Sequence, residues 1–348
     1  MKVLVIADPI VPVPPTEYGG AERIVAHLCE ALVKKGHRVD LMAGPGSKLS
    51  KGRLWIHRAP SHARPNRAFR KIWFQCLSFV AAREADVIVN FGRLDYLHSI
   101  LRGGKPLLCC FQNPVHQDEI DWLMARRRKS LRLIGVSQSQ IAGLHSNGLF
   151  SVVHNCTDTD HTIFSKEVPA HSYLAFLGRL TANKGVDSAI RVARRCGIKL
   201  IIAGNISNEP GDRDFLEREI CPQLDAEIEW IGPVNDERKQ KLLNGALALL
   251  FPIRWPEPFG IVMAESLACG TPVIATRCAS TPEVIDHGVT GFLCDSEDEM
   301  VEAVGKIATI DRSTCRRAAE ESFSVEALTR GYLHAIESLR QDTRVTGE

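Results

Sequence analysis

Short apolar runs alternate along this chain with longer stretches in which apolar residues recur every three or four positions. The short runs are continuous rather than alternating. That pattern predicts strands buried on both faces, and the periodic stretches predict the helices that cover them. In the first half the strands are expected at Lys2–Ala7, Arg38–Met42, Leu54–His57, Asp86–Asn90, Pro106–Phe111, Leu131–Val136 and Val152–His154. In the second half they are expected at Leu174–Leu177, Lys199–Ala203, Glu229–Ile231, Ala246–Phe251, Pro272–Ala275 and Gly291–Leu293. Helices are expected over Ala21–Lys35, Val186–Arg195, Asp236–Asn244, Met263–Ala268, Asp298–Ile307 and Val325–Leu339. Two such series in one chain predict an α/β protein with two Rossmann-like, doubly wound parallel-sheet domains. The polar stretch Phe164–His171, with Pro169, is the expected join. The predicted domains are therefore residues 1–166 and 167–324.

Composition sets few limits beyond this. A chain of 348 residues can bury two cores. Its 45% hydrophobic and 24% charged residues are ordinary for a globular protein. No apolar run approaches the ~20 residues of a membrane span. The stretch Met1–Asp8 has the charge and apolarity of a leader but is short, lacks a cleavage site and reads as the first strand. There are eleven cysteines and no Cys-x-x-C pair. Cys109, Cys110, Cys196 and Cys269 fall inside apolar segments, the pattern of reduced, buried thiols in a cytosolic protein. No Cys/His spacing suits zinc.

Charge changes the picture more. Residues 1–165 hold 22 Lys and Arg against 13 Asp and Glu, whereas the rest hold 21 against 28. Between Asp40 and Glu84 there is no acid, and Lys48, Lys51, Arg53, Arg58, Arg64, Arg67, Arg70 and Lys71 are interleaved with Trp55, Phe69, Trp73 and Phe74. Arg126-Arg127-Arg128-Lys129 forms a second cluster. Two readings stand with equal weight: an acidic partner for the first half, or a solvated basic face.

The candidate chemistry is concentrated in three places. Glu257 sits in a Trp-Pro-Glu-Pro-Phe-Gly turn, and Glu265 follows about a turn and a half into the next helix, which Gly270 should cap. The N–H groups of Phe259, Gly260 and Ile261 open that helix and suit an anion. Two carboxylates for hydroxyls beside an anion site suit a ligand that is part sugar and part phosphate. Arg179 should lie at the C-terminal end of a strand, with Lys184 in the turn after it. Two cations there suit a diphosphate that gains charge as its bond to a sugar breaks. Gly19-Gly20 joins the first strand to the first helix and lets a ligand approach the backbone. It is not a Gly-x-Gly-x-x-Gly fingerprint, which argues against a dinucleotide.

The Glu-x7-Glu pattern with Glu-Pro-Phe-Gly inside it resembles the retaining nucleotide-sugar glycosyltransferases of family 4. Gly178-Arg179-Leu180 with Lys184-Gly185, and Glu265 through Ala275, fit as well. The resemblance covers nearly the whole chain and is strongest over Tyr173 to Cys294. It implies the GT-B fold, with the two domains facing a cleft and a final helix, 325–340, crossing back to the first domain. It also implies roles. Arg179, Lys184 and Glu257 would be catalytic, with the two cations on the diphosphate and Glu257 at the donor sugar. Glu265 would hold the ribose hydroxyls. Phe259, Gly260 and Ile261 would touch sugar and phosphate through their backbone. Val234 would approach the base, and Gly19, Gly20 and Gln112 would complete the donor site.

The chain departs from the family pattern at two points. Relatives often carry a His after the strand that ends here at Phe111, where this chain has Gln112-Asn113 and only later His116. Gln can hydrogen-bond a sugar hydroxyl but supplies no protonatable charge near pH 7. At Val153–Asp158, Cys156 replaces the usual Gly. Asp158-Thr159-Asp160 spells a metal-binding Asp-x-Asp but lies far in sequence from the phosphate features, so no metal is expected.

The expected activity is metal-independent transfer of a hexose, glucose first, from a UDP-sugar to an acceptor hydroxyl with retention. The alternatives are a GDP-mannose-dependent mannosyltransferase, a related GT-B epimerase or phosphorylase, and a non-catalytic nucleotide-sugar-binding protein. No cofactor is expected beyond the nucleotide-sugar co-substrate. Expected partners are that nucleotide sugar, a lipid-linked or small-molecule acceptor and an anionic membrane surface, but not nucleic acid. The expected location is the cytoplasm, including the inner face of the membrane.

Overall fold

The computed structural model describes residues 1–16, 19–57, 67–94, 97–126, 130–168, 172–206, 209 and 211–345. It comprises two compact units, Met1–Asn155 with Val325–Glu348, and Cys156–Ser324.

The first unit is built on a seven-stranded sheet in the order β3-β2-β1-β4-β5-β6-β7. The strands are β1 (Lys2–Ile6), β2 (Arg38–Ala43), β3 (Arg53–Ile56), β4 (Val87–Asn90), β5 (Leu107–Cys110), β6 (Leu131–Gly135) and β7 (Phe150–Val152). Every pairing is parallel, with Val3 beside both Val39 and Val87. The central strands are buried along their whole length, as continuous apolar runs require. The helix Gly20–Lys34 covers the sheet with Ile24, Val25, Leu28, Cys29 and Leu32, a stripe at helical spacing. The helix Val325–Val345 belongs to this unit. It packs Tyr332 against Phe91, and Arg132 Nη2 donates to Ser338 Oγ at 3.1 Å.

The second unit has a six-stranded, all-parallel sheet in the order β10-β9-β8-β11-β12-β13. Its strands are β8 (Tyr173–Leu177), β9 (Leu200–Ala203), β10 (Ile228–Trp230), β11 (Ala246–Phe251), β12 (Val273–Thr276) and β13 (Gly291–Cys294). The helix Val186–Cys196 is bounded by glycines at both ends. Gly197 closes it in the left-handed conformation, with Ile198 N–H returning to Ala193 O at 3.2 Å.

The join differs from expectation. The first unit ends at Asn155, not at residue 166. The cause is a pair of arginines on the helix Arg312–Ser322, which the apolar pattern does not announce because that helix is mostly polar. Arg316 Nη2 donates to Thr159 O at 2.6 Å, and its Nη1 donates to Thr162 O at 3.0 Å and Ala268 O at 2.8 Å. Arg312 Nε donates to Ser165 O at 2.8 Å. Ser165 N–H reaches Cys269 O at 3.2 Å. Residues 157–166 are thus tied to the second sheet's helices. Cys156, buried, stands at the start of that unit.

Among the four cysteines singled out, Cys109, Cys110 and Cys269 are buried and Cys196 is only half-buried. Burial pushes the Cys269 thiol up to about 12. Among the described residues no helix is long and apolar enough to cross a membrane. Residues 58–66 and 127–129, which carry part of the basic clusters, lie outside the described residues, as does Tyr18.

Candidate functional site

In both sheets the strand order reverses beside the first strand of the unit, between β1 and β4 and between β8 and β11. A doubly wound sheet leaves a crevice outside the carboxyl ends of the strands at such a reversal, because neighbouring helices depart to opposite faces. Most of the predicted site residues lie at these two points, whereas Val234 follows the edge strand β10. Eight lie in the second unit and three in the first.

In the second unit Arg179 follows β8 directly, and Lys184 ends the single turn Ala182–Lys184. Gly185 comes next with φ 74°. A Cβ there would stand 1.9 Å from Pro252 O, so only glycine lets this turn press against the end of β11. That contact brings the two arms of the site together. Lys184 Nζ forms an ion pair with Glu257 Oε2 and lies 4.9 Å from the Trp255 ring centre. Trp255 Nε1 donates to the same Glu257 oxygen at 2.7 Å. Lys184 and Glu257 are both largely shielded from solvent. The Nε of Arg179 is buried with no hydrogen-bond partner among the described residues, so this guanidinium retains a donor for an anion.

Gly260, with φ 77°, opens the helix Ile261–Ala268, and no side chain caps its N-terminus. A Cβ on Gly260 would come 2.9 Å from Met263 Cε and 3.0 Å from the Phe251 ring. Phe259 is buried against Phe323, and Ser280 Oγ donates to Phe259 O at 3.0 Å. The turn is thus rigidly backed, and the positive end of the helix faces outward from it. Glu265, 9% exposed, lies on this helix. Lys239 Nζ is ion-paired with Glu265 Oε1 and also with Asp236 Oδ1 at 3.0 Å. Val234 precedes the helix Asp236–Gly245 that carries this lysine.

Behind the site, Asp187 accepts both Arg254 Nη1 at 3.0 Å and Arg254 Nη2 at 2.8 Å, and Arg191 Nη1 at 3.0 Å. Burial pushes the Asp187 carboxyl up, but the Arg254 and Arg191 guanidiniums outweigh it and hold the carboxyl below its usual range. This network pins the start of the helix Val186–Cys196 to the loop that carries Trp255 and Glu257.

Sequence reasoning identified the two glutamates and the two cations but missed their partners, Lys239 and Trp255. Trp255 lies in the same turn as Glu257 and was legible as an aromatic beside a sugar-binding acid. Lys239 was not, because a lysine on a polar helix has no distinguishing local signal.

In the first unit Gly19 is the N-cap of the helix that begins at Gly20, again with no side-chain cap. Gln112 follows β5 and lines a cavity of about 700 Å³ at the β1/β4 reversal. Asn155 Nδ2 donates to Gln112 Oε1 at 2.9 Å, while Gln112 Nε2 is buried without a partner among the described residues. His116 does not line this cavity, and its N–H is held by Glu119 Oε2 at 3.0 Å. Gln112 therefore stands where the histidine alternative does not. Asp158 accepts from His161 N at 3.2 Å and lies 2.9 Å from His161 Nδ1. Among the described residues no group of three or more His, Cys, Asp or Glu could hold a metal ion.

Comparison with known proteins agrees with this architecture. Residues 18–161 match the model of the Glycosyltransferase Family 4 domain, and residues 160–323 match that of the Glycosyl transferases group 1 domain. The chain is 27% identical over 229 residues to D-inositol 3-phosphate glycosyltransferase of Mycolicibacterium smegmatis, covering 59% of this chain and 52% of that protein. The chain thus matches about half the length of that curated relative. In fold it is similar to sucrose-phosphate synthase from Thermosynechococcus elongatus (TM-score 0.80, 17% identity, 98% and 99% of the two chains). It is also similar to Anabaena HepE in complex with UDP and glucose (TM-score 0.74, 18% identity, 97% and 100%). The two family matches run end to end along the two units, and the chain belongs to the family 4, group 1 glycosyltransferases, with their GT-B fold.

Proposed function

We propose that this protein transfers a hexose, glucose first, from a UDP-sugar to an acceptor hydroxyl, with retention and without a metal. The observation that carries the reading is the convergence at the β8/β11 reversal of Arg179, Lys184, Glu257 and an uncapped helix N-terminus at Gly260. Phosphate is recognised by cations and free helix N–H groups, and a sugar by buried carboxylates and an aromatic face. The site has all four within one unit. The Anabaena relative in fold was crystallised with UDP and glucose, which supports UDP-glucose as donor.

In this reading the diphosphate lies against Arg179, Lys184 and the Gly260–Ile261 end of the helix. These groups stabilise the charge that develops as the sugar leaves, the role that a divalent ion plays elsewhere. Lys184 reaches the phosphate only by sharing its charge with Glu257. Glu257 in turn is freed to accept hydrogen bonds from the sugar hydroxyls. Glu265 accepts from the ribose diol while Lys239 holds its carboxylate in place. Glu257 is already engaged by Lys184 and Trp255, which suits a role in holding the sugar and not in attacking it. Attack by the acceptor on the face the diphosphate leaves therefore fits best.

A thermal-shift screen over UDP-, GDP- and ADP-sugars tests the donor, because a ligand that binds only the folded state raises its melting temperature. Stabilisation by GDP-mannose and not by UDP-glucose would replace the donor assignment. Binding without hydrolysis or transfer would leave a nucleotide-sugar-binding protein instead.

An exposed apolar face supports a second element of the reading, peripheral contact with an anionic membrane from the cytoplasmic side. On the helix Arg67–Arg83, Ile72, Trp73, Phe79 and Val80 are all exposed, Trp73 by 57%. They lie within the stretch that contains no acid. Apolar and aromatic side chains beside lysines and arginines suit an anionic bilayer surface, each basic residue adding about 1 kcal/mol. Flotation with anionic and neutral vesicles tests it. Equal behaviour on both would leave a solvated face.

A further inference from the structure

The first half of the chain carries a surplus of positive charge, yet a large cavity within it has the opposite character. The cavity of about 700 Å³ opens at the carboxyl ends of β1, β4 and β5. Asp8, Glu22, Asp118 and Glu119 line it, and among the described residues Arg93 is its lone basic lining residue. That guanidinium is already engaged, its Nε donating to Asp8 Oδ2 at 2.9 Å. Burial pushes the Glu22 carboxyl up against the opposing hydrogen bond from its own backbone N–H, and Asp8 adds a smaller upward push.

Two helices, Gly20–Lys34 and Gln117–Arg126, begin at this cavity, and helix N-termini favour anions. Their combined effect amounts to about one positive charge. Glu22 in the first turn of one helix, and Asp118 and Glu119 in the first turn of the other, already answer it. Four carboxylates against one guanidinium and two helix ends leave the lining negative. Phe91 and Trp122 supply aromatic walls, and Gln112 presents a buried side-chain nitrogen without a partner among the described residues. Carboxylates and an amide that accept and donate around aromatic faces suit a hydroxylated ring.

We propose that this cavity binds the acceptor and selects a polyhydroxylated ring that bears an amine and carries no phosphate or carboxylate. The proposal rests on the transferase reading and adds the acceptor's chemical class to it. It separates this chain from a relative such as the mycobacterial enzyme, whose name specifies a phosphorylated inositol.

The test is direct binding to the full chain saturated with UDP, read by ligand-observed NMR titration. The probes are glucosamine, glucose, glucose 6-phosphate and inositol 1-phosphate. Glucosamine should bind about five- to tenfold more tightly than glucose, and both phosphorylated compounds more weakly than glucose. In the double variant Asp118→Asn, Glu119→Gln the preference for the amine should shrink to about twofold or less. Tighter binding of either phosphorylated compound than of glucose would overturn the proposal. So would an amine preference that survives the double variant, or no binding of any probe. Hydrolysis of UDP-glucose by the same preparation separates the two readings. A protein that hydrolyses the donor but prefers the phosphorylated probes loses this inference and keeps the transferase assignment. A protein that neither binds UDP nor hydrolyses the donor loses the transferase assignment itself.

Discussion

The substitution Glu265→Gln tests the donor site most sharply, because the structure gives both its local cost and its expected effect. The Glu265 carboxylate is held by Lys239, whose side chain is 16% exposed and is shared with Asp236 at 3.0 Å. Gln keeps the shape and one acceptor but removes the charge. A hydrogen bond to a charged group contributes about 1.5–3 kcal/mol where a neutral one contributes about 1 kcal/mol. If two ribose hydroxyls donate to this carboxylate, as proposed, the loss in UDP binding should be about 1–3 kcal/mol, or about 5- to 150-fold. Stability should fall far less than when one member of a buried pair is stranded, by about 1–2 kcal/mol, because Lys239 retains Asp236. Calorimetry with UDP on Glu265→Gln, Lys239→Met and Glu257→Gln reads the pattern. Lys239→Met should weaken UDP less than Glu265→Gln does, since the acceptor survives. Glu257→Gln should leave UDP affinity within about twofold while lowering kcat on the UDP-sugar, because the proposed function places Glu257 at the sugar that reacts and not at the nucleotide. Unchanged UDP affinity in Glu265→Gln, or an equal loss in Glu257→Gln, would refute the division of roles.

Arg179→Ala should lower kcat by ~10²-fold while weakening donor binding much less, since its contact with the diphosphate strengthens as the bond breaks; steady-state kinetics with unchanged turnover would remove Arg179 from the leaving-group site. Turnover should survive EDTA, and a loss restored by Mn²⁺ would reinstate Asp158 and Asp160 as metal ligands. Arg312→Met should lower stability by about 3 kcal/mol, or roughly 6–12 °C in melting temperature. Arg312 is 4% exposed, and its guanidinium donates to Ser165 O, Ala246 O, Asn244 O and Thr271 Oγ1, all of which would lose this donor to the thioether. Calorimetry with an unchanged melting curve would show that these bonds do not hold residues 157–166 in place.

Local chemistry makes most of the architecture legible along the chain itself. Continuous apolar runs mark the central strands such as β1, β4 and β5, because a strand buried on both faces must be apolar at every position, whereas the edge strands β3, β7 and β10 are only partly buried. The helix Ile261–Ala268 is legible from its residues, and Gly260 from the turn that starts it. The chemical types at the donor site are legible too, since Glu257, Glu265, Arg179 and Lys184 sit in short motifs whose spacing reflects local turns. What stays hidden depends on side chains that meet across the sequence. Arg312 and Arg316, on a polar helix, decide that the chain changes units at Asn155, because their guanidiniums seek carbonyls about 150 residues away. Lys239 reaches Glu265 and Lys184 reaches Glu257 only because neighbouring strands of one sheet end side by side. The negative lining of the first unit's cavity is invisible in the sequence for the same reason. Asp8, Glu22, Asp118 and Glu119 are scattered over 112 positions in a basic half-chain. The strand order around β1 and β4 alone gathers them into one cavity. Backbone periodicity is a local property and can be read along the chain, whereas the charge of a cavity is a sum over loops that only the sheet topology brings together.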